Sequence, residues 1–94
     1  MKPETLRKKH PNYVVGWDGN IQQLAQSIGN MSYDKVAEFL DKLYHNIVKQ
    51  AESDYKNKRY KLSFELYKTA AAIAEASNSM QKAWEICKPF MPKT

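Results

Sequence analysis

From Ile21 onward, apolar residues return at three- and four-residue spacing, the rhythm of helices that bury one face. Ile21, Leu24, Ala25 and Ile28 define a first helix from about Asn20 to Ile28, with Asp18 as its expected N-cap and Gly29-Asn30 as its stop. A second helix is expected from Ser32, with Met31 packing back on Val36 as a staple. Its stripe runs through Val36, Phe39, Leu40, Leu43, Ile47, Ala51 and Tyr55. The pattern breaks in a polar, basic turn between about Lys56 and Arg59, then resumes with Tyr60, Phe64, Tyr67, Ala70, Ala71 and Ala74. The alanines of this third helix favour helix and allow close approach of a neighbour. Ser77-Asn78-Ser79 reads as a capping cluster that ends the third helix and opens a fourth. That fourth helix carries Met80, Ala83, Trp84 and Cys87 and stops before Pro89.

No proline falls between Ile21 and Lys88, consistent with continuous helix there. Ahead of it, His10-Pro11-Asn12 interrupts any helical start, and Tyr13-Val14-Val15-Gly16-Trp17 is too short for a helix and has no strand partner. Residues 1–17 are therefore expected to form an irregular arm anchored by Trp17, and residues 18–94 one all-α bundle of about four helices.

Length and composition narrow the class. Ninety-four residues suit one small domain, and 43% hydrophobic with 27% charged residues is ordinary for a folded chain. No apolar run approaches the roughly 20 residues of a membrane span. The basic start is followed by His10-Pro11-Asn12 rather than an apolar core, so no secretory signal is expected, and the expected compartment is the cytoplasm. The lone Cys87 cannot pair within the chain; it reads as a small apolar helix residue, or as a thiol activated by Lys82 and Lys88.

A net charge of +5 raises the prospect of a polyanionic partner. The charge comes in blocks: basic at Lys2, Arg7, Lys8 and Lys9, acidic at Asp18, Asp34, Glu38 and Asp41, and basic again across 49–68. The richest cluster, Tyr55-Lys56-Asn57-Lys58-Arg59-Tyr60-Lys61, interleaves aromatics with cations as single-strand binders do. The same residues read equally as two tyrosines closing a hairpin around a solvated turn.

Within residues 47–74, Ala51, then Tyr60, Leu66-Tyr67 and Ala70, with a short turn at Asn57-Lys58, resemble one tetratricopeptide repeat. The same spacing is similar to that of the microtubule-interacting and trafficking domain. Ser63 stands where the repeat has alanine, and Ile47 replaces its opening aromatic. The resemblance implies a helical hairpin and a capacity to bind peptides. A second pattern, Leu24-Ala25, Ile28-Gly29, Val36 and Phe39-Leu40, resembles a helix-turn-helix DNA reader, but Asp34, Glu38 and Asp41 on its recognition helix would repel phosphates.

Chemistry finds little footing. His10 and His45 have no cysteine, histidine or carboxylate at site-forming spacing, and Gly16-Trp17-Asp18-Gly19 lacks the lysine of a phosphate loop. No catalytic residue, cofactor or metal is expected, and the chain reads as a non-enzymatic module that binds a protein or itself. Trp17, Tyr44, Tyr67 and Trp84 are the expected anchors. The alternative is a nucleic-acid accessory protein using Lys56, Lys58, Arg59 and Lys61 with Arg7, Lys8 and Lys9.

Overall fold

The computed structural model describes residues 10–90, and every described element is helical. Three α-helices occur there: α1 (Ile21–Gly29), α2 (Tyr33–Lys56) and α3 (Tyr60–Cys87), followed by a 3-10 turn over Lys88–Phe90. The chain divides into two compact units, one up to Met31 and the other from Ser32.

In the first unit the chain turns at Gly16, where φ is +85° and the Trp17 amide donates to the Val14 carbonyl at 3.1 Å. Asn20, not Asp18, caps α1. Its Oδ1 accepts from the Gln23 amide at 2.8 Å, and Gln23 Oε1 accepts from the Asn20 amide at 2.9 Å. The reciprocal box needs a carboxamide or carboxylate three residues on; Asn20 finds Gln23, whereas Asp18 would meet Ile21. Trp17 Nε1 donates to the Asn20 carbonyl, and Gly19 is required beside it, since a Cβ there would lie 2.9 Å from Trp17 Nε1. Leu24 and Ile28 are half-buried, while Ile21 is exposed.

The second unit is an antiparallel helical hairpin. α2 ends in a Schellman motif: the Lys58 amide donates to the Tyr55 carbonyl at 3.0 Å, and the Arg59 amide to the Asp54 carbonyl at 2.8 Å. Lys58 holds the left-handed position, φ +63°, that glycine usually takes. Arg59 Nε then bonds Asp54 Oδ1 at 2.8 Å and fixes the start of α3.

Counting in sevens describes the seam. Ala37, Tyr44 and Ala51 on α2 oppose Ser77, Ala70 and Ser63 on α3, and two hydrogen bonds fix that register. Ser63 Oγ donates to the Ala51 carbonyl at 2.8 Å, and Ser77 Oγ donates to the Ala37 carbonyl, also at 2.8 Å. A hydroxyl reaches the backbone of the opposite helix only if the axes lie near the close end of the usual range, about 8 Å. Small side chains permit that, and Ala51, Ser63, Ala70 and Ala37 are the fully enclosed residues.

Four helices were expected and three are present among the described residues, because Ser77-Asn78-Ser79 does not cap. Ser77 spends its hydroxyl on Ala37 across the hairpin, and α3 continues unbroken to Cys87. The expected core stripe of this helix was also displaced. Phe64 and Tyr67 lie outside the seam, which passes instead through Ser63, Leu66, Ala70, Ile73 and Ser77.

Two flanks border the seam. In an antiparallel pair, residues one position before each seam residue share one side, and residues four positions after it share the other. The first flank takes positions 36, 43 and 50 of α2 with 62, 69, 76 and 83 of α3. The second takes 41, 48 and 55 with 60, 67, 74 and 81, and the edge-on contact of the Tyr55 and Tyr60 rings at 5.1 Å lies on it.

Candidate functional site

The expected anchors fall in different settings. Tyr44 and Trp84 are half-buried residues of the seam series, Tyr44 opposite Ala70. Tyr67 sits on the second flank, 38% exposed. Trp17 belongs to the first unit, half-buried, and forms one wall of an open cleft shared with Asp18, Gly19, Gln23, Gln26 and Ser27. The seam between α2 and α3 leaves no slot for a peptide, since Ala51 and Ser63 are wholly enclosed.

The basic cluster is only partly a free surface. Lys56, Lys58 and Lys61 are exposed, but Arg59 is half-buried on Asp54, whose own side chain is 15% exposed. Arg59 thus braces the turn rather than standing in solvent as expected of it. Tyr55 and Tyr60 pack edge-on against each other yet keep about half their surface, 53% and 46%. Arg7, Lys8 and Lys9 lie outside the described residues.

Charge is sorted around the hairpin more strictly than sequence reading anticipated. Lys35, Lys42, Lys49 and Lys56 recur every seven residues on the back of α2, with Lys61, Lys68 and Lys82 at the equivalent places on α3; all are exposed. Four of the five acids of α2, Asp34, Glu38, Asp41 and Glu52, lie on the side of the second flank, and the fifth, Asp54, is paired with Arg59. The Ser32 hydroxyl beside Asp34 holds its carboxyl below the ordinary 3.8. Glu38 binds Lys35 at 3.1 Å and raises the lysine's pKa. At the far end, Lys88 at 2.8 Å and then Gln81 keep the Glu85 carboxyl below its ordinary 4.5. The first flank carries almost no charge, and a count in sevens along α2 and α3 would have found it.

Reactive groups are sparse. His45 lies 3.6 Å from Asp41 on an exposed helix face with its ring against Tyr44, and Cys87 is half-buried near the end of α3. Among the described residues no three potential ligands converge on a metal position, and no helix is long and apolar enough to cross a membrane. Comparison with models of known protein families, with curated proteins and with solved structures yields no match.

Proposed function

We propose that this chain is a small non-enzymatic interaction module whose hairpin docks onto another protein surface along a flank. One observation carries the reading: the seam fully encloses only alanines and a serine, while Phe39, Leu62, Phe64 and Tyr67 remain 38–61% exposed. A hairpin with so little enclosed bulk gains from covering these side chains, at about 25 cal/mol per Å² of apolar surface removed from water. The lone thiol suits a reducing compartment such as the cytoplasm.

Photo-crosslinking tests this. A crosslinking residue placed at Phe39 or Phe64 should yield protein adducts in cells, and one at Lys49 on the lysine-bearing back should not. Equal adducts from all three positions, or none at the apolar ones, would refute the reading.

A second reading, nucleic-acid binding by the turn, is favoured by Lys58, which occupies a left-handed position where glycine would cost less. Oligonucleotide affinity would then fall with salt at a log–log slope of about −3 to −4 for four phosphate contacts. Lys58→Gln with Lys61→Gln should flatten that slope; Arg59 is left intact because it braces the hairpin. No binding at low salt eliminates this second reading.

A further inference from the structure

We infer that the first flank of the hairpin is a self-association face, on which a second copy of this chain docks to complete an antiparallel four-helix bundle. The inference rests on the interaction reading and supplies its partner. Val36, Leu43 and Gln50 on α2 share this flank with Leu62, Thr69, Ala76 and Ala83 on α3, and Phe39 borders it on the same side. Phe39 and Leu62 are 38% and 49% exposed, so apolar bulk stands in water that a bundle would enclose.

Three features of the flank select a second copy as occupant. The first is charge. A two-fold interface sets a patch against itself, so any net charge on it is self-repelling. On the first flank only Glu65, at the margin and 3.4 Å from Lys68, is ionised. The second flank, with Asp34, Glu38, Asp41 and Glu52, would repel its own image. A face without a charge code also carries nothing to select an unlike partner.

The second is area. α2 has 24 residues and is therefore about 36 Å long, and two helices side by side present about 20 Å of width. The footprint approaches roughly 700 Å² per copy, or about 1,400 Å² in total, within the roughly 1,200–2,000 Å² of stable interfaces.

The third is geometry. The close-packed, serine-pinned seam gives each hairpin a two-helix face of fixed register, the form that pairs in four-helix bundles.

Sedimentation equilibrium of the full chain is the test. The expected mass is twice 10.9 kDa, about 22 kDa, at micromolar concentration. Leu43→Glu and Leu62→Glu should each weaken the dimer about 100-fold or more by forcing a carboxylate into the interface, with helical circular dichroism retained. If Leu43→Glu loses helix, Leu62→Glu carries the test, because Leu62 is already half in water. Phe64→Glu, on the second flank's side, should leave the dimer intact. A wild-type monomer up to millimolar concentration overturns the inference, and so does dissociation by Phe64→Glu with Leu62→Glu still dimeric. A monomer whose Phe39 crosslinks reach other proteins removes self-pairing alone and leaves the interaction reading standing.

Discussion

Replacing Ala51 with leucine probes the hairpin where it is tightest. Ala51 and Ser63 are both fully enclosed, and the Ser63 hydroxyl sits 2.8 Å from the carbonyl of Ala51 itself. Three added carbons have no void to enter. Either the leucine adopts an unfavourable rotamer, at about 0.5–1.5 kcal/mol, or the helices separate by about 1 Å. Separation stretches the serine bond beyond the roughly 3.5 Å at which it ceases to count, forfeiting about 1 kcal/mol. With an overpacking cost of about 1–3 kcal/mol, the loss should be about 2–4 kcal/mol. At roughly 4–8 °C per kcal/mol for a chain this size, melting should fall by about 8–32 °C. Thermal unfolding by circular dichroism at fixed protein concentration measures it, the concentration being held because self-association would shift the midpoint. Ser63→Ala should cost only about 0.5–1.5 kcal/mol, since the Ala51 carbonyl keeps its bond within α2. An Ala51→Leu chain that melts within about 2 °C of wild type would refute the close-packed seam.

Three further outcomes are expected. Lys58→Gly should stabilise the hairpin by about 0.5–1 kcal/mol in urea unfolding, because glycine removes the left-handed strain at φ +63°; a lower midpoint would refute the turn geometry. Ser77→Ala should destabilise by about 0.5–1.5 kcal/mol without shortening α3, whereas a true cap at that position would show helix loss by circular dichroism. Acid should lower stability modestly. The depressed carboxyls of Asp34 and Glu85 contribute above their unfolded values near 3.8 and 4.5, and that contribution is lost as pH falls through their folded values. Asp34→Asn should flatten part of the decline in melting temperature between pH 6 and pH 3, and an unchanged pH profile would show that its carboxyl is not held.

The helical class and the hairpin turn were legible because they depend on local signals. Proline absence, three-and-four periodicity and the basic break at 56–59 place both ends of α2 and the start of α3 within a residue or two. Ala51 and Ala70 were also legible as contact residues, since small side chains at helix crossings imply close approach, and both are enclosed. Ser63 and Ser77 were not. A serine in a helix competes locally for backbone groups and so reads as a cap or a departure from pattern. Only the register of the opposite helix reveals that each hydroxyl has a carbonyl to donate to. Large aromatics misled in the complementary way: Phe64 and Tyr67 looked like core by bulk, but a seam this narrow has no room for them.

That exchange of sizes links the fold to its proposed use. A hairpin that packs through alanine and serine cannot also enclose its leucines and phenylalanines, because the axes are too close for bulky side chains between them. The bulk is displaced onto the flanks, where it either costs hydration or meets another surface. The lysines every seven residues charge the back, and the acids charge the second flank. What remains is one face on which apolar side chains and absence of charge coincide. Its mutation should therefore alter assembly while leaving the hairpin folded, and Leu62→Glu separates these two outcomes most cleanly, since no seam residue is touched.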